Sequence, residues 1–171
     1  MKKPQALSLV LSLSLLFASF SPVAMAVNVL SNAAVTNIIP VSSSVTITNG
    51  ATITLTEDTT TNVTVTATIT DNNGCQDINS VTFKFFRTDV GAGAGDDPNN
   101  HYTMAGAQAG ANTCDGPTDL TVGYRAIFPV EYFVDPTDPG SANASTNWSA
   151  RVTPADGEGG TAGADATPHV V

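Results

Sequence analysis

Positive charge is scarce in this chain of 171 residues. Six lysine and arginine residues face fifteen aspartate and glutamate residues, which gives a formal net charge of −9 at pH 7. Beyond residue 26 the basic side chains are Lys84, Arg87, Arg125 and Arg151. A surface this acidic repels phosphate backbones and anionic lipid headgroups. Nucleic acids and membrane surfaces are therefore poor partners.

Recognisable catalytic patterns are missing as well. The sequence has no G-x-S-x-G motif, and no pair of carboxylates stands out for glycoside chemistry. Its two histidines, His101 and His169, show no metal-ligand spacing and lie in segments expected to be irregular. His101 follows Asp96 and Asp97, but a solvated loop histidine is favoured over a base with an orienting carboxylate. We expect a protein that is not an enzyme.

Long apolar runs occur only near the N-terminus. Lys2 and Lys3 precede an apolar run over residues 6–20, Pro22 ends it, and Ala24 and Ala26 supply the small residues of a cleavage site. This order predicts a cleavable signal peptide at residues 1–26. A retained anchor is disfavoured because the run is shorter than the ~20 apolar residues that span a bilayer. We expect a secreted or cell-surface protein without membrane attachment after cleavage.

Cysteine is limited to Cys75 and Cys114. An even number of cysteines in an exported protein favours a disulfide. The alternative, a two-thiolate metal site, lacks further ligands with suitable spacing. Closing a loop of this size stabilises a fold by ~4 kcal/mol in the chain-entropy model.

What is abundant is period-two alternation of apolar and polar residues, and no segment has a helical period. The clearest run spans residues 63–70, where Val63, Val65, Ala67 and Ile69 alternate with threonines. Alternation of this kind is typical of a strand with one buried face. The pattern predicts an all-β antiparallel β-sandwich of about six or seven strands over residues 45–153. A loosely ordered N-terminal lead (27–44) and a disordered Gly/Ala/Asp-rich tail (154–171) are expected to flank it.

Local signals refine this prediction. Asn49-Gly50 indicates a hairpin, and burial of one face favours a three-residue loop that pairs Ile47 with Ile53. The alternative is that Asn49-Gly50 bends one edge strand or passes it to the other sheet. Pro129 predicts a kink or a sheet edge in the strand over 120–134. Residues 89–118 are expected to form a long irregular insertion.

Three segments resemble immunoglobulin-like or cadherin-like modules of prokaryotic surface proteins. They are residues 71–78 (DNNGCQDI), 132–138 (YFVDPTD) and 148–152 (WSARV). The resemblance implies a structural or adhesive module, often one of several in a long chain. Trp148 follows both cysteines, whereas antibody-type domains place it between them, and Cys75 lies in a turn. The bond is therefore expected to join loops at one end of the sandwich.

The C-terminus leaves two interpretations open. Apolar character returns at residues 168–171, and no wall-sorting motif is visible. An ordinary tail and a longer protein cut short both fit this pattern. The resemblance favours truncation, because such modules seldom act alone.

Two loops carry oxygen ligands suited to calcium, which takes six to eight oxygens. Asp71, Asn73 and Asp77 cluster at one turn, and Asp135 and Asp138 form another. If both loops lie at one end of the sandwich, together they supply enough oxygens for an ion. The alternative is that these side chains cap turns through local hydrogen bonds. No other cofactor is expected.

The function expected from these features is a structural or adhesion module whose partners are extracellular or envelope proteins or glycans. The alternative is a module that binds carbohydrate or another extracellular ligand. That alternative would use the 89–118 loop together with Tyr102, Tyr132 and Phe133. Exposed and grouped aromatic rings would favour it, and buried rings would count against it.

Overall fold

The computed structural model describes residues 36–50, 52–110, 112–166 and 171. The predicted signal peptide and residues 27–35 lie outside these ranges. The described residues form strands and one short 3-10 helix, Cys75–Asp77. The strands are β1 (Val41–Ile47), β2 (Thr60–Thr70), β3 (Ile78–Arg87), β4 (His101–Ala105), β5 (Ala107–Gln108), β6 (Thr121–Glu131), β7 (Trp148–Asp156) and β8 (Ala164–Asp165). In these ranges no helix has the length and hydropathy needed to cross a bilayer.

The strands form two four-stranded sheets, in the orders β1-β2-β6-β5 and β4-β3-β7-β8. Within each sheet, all pairs of neighbouring strands are antiparallel. The two inner faces pack on each other, and the ring centroids of Phe85 on β3 and Phe128 on β6 lie 5.8 Å apart. The all-β antiparallel sandwich predicted from the alternation is therefore confirmed, with eight strands in the described residues where about six or seven were expected.

The alternating residues of β2 and β6 supply much of the core. Val63, Val65 and Ile69 are fully buried, and their threonine neighbours point outward and are half-buried. Val63 pairs with Phe128, and Val65 pairs with Ala126. A strand places successive side chains on opposite faces, so two alternating strands in this register bury one continuous apolar surface.

The predicted hairpin between residues 45–48 and 52–56 is wrong. Ile47 pairs with Val65 of β2 and not with Ile53, and β1 begins at Val41, inside the predicted lead. The side chain of Asn49 accepts a hydrogen bond from Thr64 N and donates one to Asn62 O. Asn49 therefore continues the contact with β2. Ile53 is still buried, at 3% exposure, without belonging to a named strand.

Two segments predicted to be irregular contain strands. β4 and β5 both lie within residues 89–118, where they pair with β3 and β6. β7 runs to Asp156, and β8 pairs with Arg151 and Val152 of β7, so residues 154–171 are not uniformly disordered. The side chain of Val171 is also buried. These strands are too short to show a period of their own, and their hydrogen-bond partners are distant in the sequence.

Pro129 lies at the sheet edge that the sequence predicts. β5 pairs only with Arg125 and Tyr124 of β6, so β2 alone pairs with the part of β6 that contains Pro129. A proline lacks the backbone N–H that a second neighbouring strand would require.

Candidate functional site

The β2–β6 pair defines the two ends of the sandwich. Thr70 pairs with Thr121 at one end, and Thr60 pairs with Glu131 at the other. Each strand has 11 residues, and at ~3.3 Å per residue the two ends are roughly 33 Å apart. We call them the disulfide end (residues 71–77, 112–120 and 156–160) and the aromatic end (residues 88–100 and 131–147).

The two loops proposed for calcium lie at opposite ends. Asp71, Asn73 and Asp77 follow β2 at the disulfide end, and Asp135 and Asp138 follow β6 at the aromatic end. Because β2 and β6 are antiparallel, the segments that follow them point in opposite directions. The condition for a shared calcium site, that both loops lie at one end of the sandwich, is therefore not met.

Asp71 and Asn73 instead stabilise a turn through local hydrogen bonds, which was the alternative to calcium binding. Oδ1 of Asp71 accepts a hydrogen bond from Asn73 N at 2.8 Å. The Asn73 side chain accepts one from Ile38 N and donates one to Thr36 O. These bonds form a turn and attach residues 36–38 to it. Oδ2 of Asp71 is buried without a partner among the described residues.

Antiparallel pairing of β3 with β7 brings together acidic residues that the sequence analysis did not group. The carboxylates of Asp77, Asp156 and Glu158 lie within 4.8 Å of one another. Ile78 pairs with Asp156, which explains the proximity. The oxygens of Asp156 already accept hydrogen bonds from Asn37 Nδ2 and Gly160 N, both at 2.8 Å. The spacing of these residues in the sequence does not predict this cluster, because Asp77 and Asp156 meet only through strand pairing.

Asp156 predicts a pH dependence of stability. The hydrogen bond from Asn37, helped by backbone N–H groups of the turn at 158–160, holds the pKa of this carboxyl below its ordinary value of 3.8. Its charged form therefore contributes stability above about pH 4, and that contribution is lost as pH falls through the lowered pKa. We expect the urea midpoint of the wild type to fall more steeply with acidification below pH 4 than that of Asp156→Asn. Parallel pH profiles for the two proteins would contradict this, and Glu158→Gln, an exposed neighbour, serves as the control.

Cys75 and Cys114 form the predicted disulfide. Their Cα atoms are 5.8 Å apart, and the bond joins the 3-10 helix to the loop before β6. Cys75 is buried, and its backbone N–H donates to Asp119 O at 2.7 Å. The bond therefore connects loops at one end of the sandwich, as expected.

The aromatic end presents an exposed pair of rings. Tyr132 and Phe133 directly follow β6 and are 42% and 48% exposed. Their ring centroids are 5.4 Å apart with an interplanar angle of 83°, an edge-to-face arrangement. Large adjacent aromatic rings at a surface mark contact sites more often than isolated apolar residues do.

Arg87 holds the two loops that surround this pair. Its guanidinium donates to Asp89 Oδ1 at 2.6 Å and to Asp135 Oδ2 at 2.5 Å. The hydrogen bond from Arg87 is the main cause that lowers the pKa of Asp89. Asp135 N also donates to Asn99 O at 2.9 Å. Charge-assisted bonds of this kind order the turn that carries Tyr132 and Phe133.

Tyr102 lies at the base of the same end and is half-buried. Its ring is 6.3 Å from that of Trp148 and 6.4 Å from that of Phe85. Its hydroxyl donates to Pro98 O at 2.6 Å and accepts from Glu131 N at 3.3 Å. Burial raises the pKa of this hydroxyl. Of the three aromatic residues proposed for ligand binding, the structure thus pairs two at the surface and leaves the third half-buried against the core.

The expectation that His101 is a solvated loop residue is wrong. His101 begins β4, is 1% exposed and stacks on Phe86 with ring centroids 6.1 Å apart. Its Nδ1 is 3.1 Å from Asp96 Oδ1, and its Nε2 has no partner among the described residues. The pKa of Asp96 is lowered first by a hydrogen bond from Thr103 and then by His101. These contacts fasten the 88–100 loop onto the outer face of β3 and β4.

Lys84 provides a second attachment for this loop. Its Nζ donates to Ala92 O at 2.7 Å. Beside the loop, a cleft of about 360 Å³ is lined by Asp96, Pro98, Tyr102, Met104 and Pro129, among others. The cleft lies where the edge strand β4 approaches the uncovered part of β6.

Comparison with protein-family models, curated proteins and solved structures gives no match for this chain.

Proposed function

We propose that this protein is an exported, non-enzymatic β-sandwich that serves as a structural or adhesion module outside the cell. The exposed Tyr132–Phe133 pair is the observation that carries the proposal, and this pair is the contact surface for an extracellular or envelope protein. Aromatic rings on an ordered support lose little conformational entropy on binding and bury a large apolar area. The disulfide supports an oxidising compartment, where such bonds persist.

We propose further that the sandwich is immunoglobulin-like. Named in chain order as strands A, B, C, C′, D, E, F and G, the sheets have the orders A-B-E-D and C′-C-F-G. Immunoglobulin domains place A, B, E and D in one sheet and C, F and G in the other, with C′ added beside C in variable domains. Trp148 begins strand F, and Phe85 of strand C stacks on it with centroids 4.7 Å apart.

A second candidate is a module that binds carbohydrate or another extracellular ligand at the aromatic end. It is favoured by the same exposed pair, because sugar rings stack on aromatic faces. The 360 Å³ cleft, which Tyr102 lines, lies within the ~300–1,000 Å³ range of small-molecule sites. Identification of a glycan ligand would favour this candidate over a module that binds a protein partner.

The double variant Tyr132→Ala/Phe133→Ala tests both candidates. Binding to isolated cell envelopes and to the uncharged glycans of an array should weaken at least tenfold, as expected for loss of a central aromatic anchor. The free energy of unfolding should change by no more than about 0.5 kcal/mol, because both side chains are at the surface.

The matched control for this experiment is Leu120→Ala. Leu120 is 44% exposed and lies at the disulfide end, so its removal should leave binding unchanged. If the double variant bound like the wild type, or if Leu120→Ala lost as much binding as the double variant, the proposed contact surface would be wrong.

A further inference from the structure

The outer face of the first sheet carries a groove of about 470 Å³. Its floor includes Thr64, Thr66 and Thr68 of β2, and Asn112 and Arg125 line its wall. It lies on a sheet face, apart from the Tyr132–Phe133 pair. This surface plays no part in the function proposed above.

The floor presents a regular row of hydroxyl groups. Thr64, Thr66 and Thr68 alternate with the buried Val65 and Ala67 and are half-buried. Residues two apart on a strand are separated by ~6.8 Å. Each threonine hydroxyl both donates and accepts hydrogen bonds. The row therefore matches a ligand that carries hydroxyl groups of its own along its length.

The wall is held in place by Gly123. Ala109 N donates to Gly123 O at 2.9 Å, and Gly123 N donates to Asn112 O at 3.0 Å. A Cβ atom at position 123 would lie 2.3 Å from Ala109 O, so only glycine permits this approach. Ala109 and Asn112 are thereby attached to β6 beside Arg125, so backbone hydrogen bonds hold the side of the groove in place.

Arg125 is the one arginine without an ion pair among the described residues. Arg87 pairs with Asp89 and Asp135, and Arg151 pairs with Asp165. Arg125 is exposed on a groove whose described lining contains no carboxylate. Arg125 is therefore the one charged side chain among the described residues that line this groove.

We propose that this groove binds an anionic saccharide. Arg125 pairs with the carboxylate or sulfate group of the sugar, because the guanidinium fork matches planar anions and donates two parallel bonds. Asn112 and the threonine row exchange hydrogen bonds with the ring hydroxyls. A cleft of this volume suits a short oligosaccharide segment, and the open sheet face lets a longer chain continue beyond it.

The test measures affinity of the purified full protein for charged and neutral polysaccharides. The carboxylate probe is polygalacturonate, with its methyl ester as the uncharged match, and the sulfate probe is dextran sulfate, with dextran as the match. Affinity for at least one charged polymer should exceed that for its neutral match and should fall as salt rises. The charged polymer that the protein binds shows whether the groove recognises a carboxylate or a sulfate group.

Substitutions locate the site. Arg125→Ala should lower affinity at least tenfold, and Thr66→Val, which removes one hydroxyl and keeps the shape, about threefold. Arg151→Ala, an exposed arginine on the other sheet, should bind like the wild type. Tyr132→Ala/Phe133→Ala should also bind these polymers normally, which separates this site from the aromatic end.

Three results would overturn the proposal. The first is that Arg125→Ala binds the charged polymer with the affinity of the wild type. The second is that Arg125→Ala and Arg151→Ala lose affinity equally. The third is that the folded wild-type protein binds neither charged polymer. Circular dichroism and urea unfolding establish that each variant is folded. Because Arg125 is exposed and lacks an ion pair among the described residues, its substitution should leave stability within about 0.5 kcal/mol of the wild type.

Discussion

Replacement of Trp148 by alanine is expected to lower the free energy of unfolding by about 3–5 kcal/mol. Trp148 is fully buried and stacks on Phe85 with ring centroids 4.7 Å apart. Its removal leaves a cavity between the sheets and exposes the facing rings to a void. Its Nε1 also donates to Asp135 O at 3.2 Å, so the turn that carries the exposed aromatic pair loses a contact with the core.

Urea unfolding followed by far-UV circular dichroism measures this loss, since Trp148 is the single tryptophan and its fluorescence disappears with it. Trp148→Phe is the matched control: it keeps an aromatic ring against Phe85 and loses the N–H donor, so its loss should be clearly smaller. A loss below about 1 kcal/mol in Trp148→Ala would show that this position does not hold the two sheets together.

Removal of the Cys75–Cys114 bond should produce the second large effect. The two cysteines are 39 residues apart in the sequence. For a loop of that length the chain-entropy model gives a stabilisation of ~4 kcal/mol, and loss of a native disulfide costs ~2–5 kcal/mol in small exported domains. The variant Cys75→Ala/Cys114→Ala suits the buried position of Cys75, because alanine leaves no unpaired polar group.

Dithiothreitol supplies the internal control for this experiment. It should lower the urea midpoint of the wild type to that of the double variant and leave the double variant unchanged. If the reductant had no effect on a wild-type protein shown by mass to be reduced, the bond would contribute nothing to stability. Cys114 closely follows Asn112 in the sequence, so reduction also removes a constraint from the groove that Asn112 and Arg125 line.

The stabilities of the two ends of the sandwich depend on different interactions. The disulfide end is held by a covalent bond and by hydrogen bonds that Asn37 and Ile38 make to Asp156 and Asn73. The aromatic end is held by Arg87 and by the Trp148 contacts. Acidification is therefore expected to weaken the disulfide end through Asp156 and the aromatic end through Asp89, whereas the Trp148 substitution acts on the aromatic end.

The sequence alone determines the long strands. β2 and β6 can be located from alternation, because a strand with one buried face must place apolar residues two apart. The disulfide can be predicted from an even cysteine count, and export through an N-terminal signal stays a prediction. Each of these features depends on residues that are neighbours in the chain or on a simple count.

The tertiary structure alone decides which residues meet. β4, β5 and β8 form because distant strands supply their hydrogen bonds, and His101 is buried because a glycine-rich loop folds over it. Asp71 and Asp135 look equivalent in the sequence, yet antiparallel pairing of β2 with β6 sends them to opposite ends. The same pairing sets Thr66 beside Arg125 and forms the groove. Strand direction and register are set by packing of the whole core, so local patterns specify strands and not the sites between them.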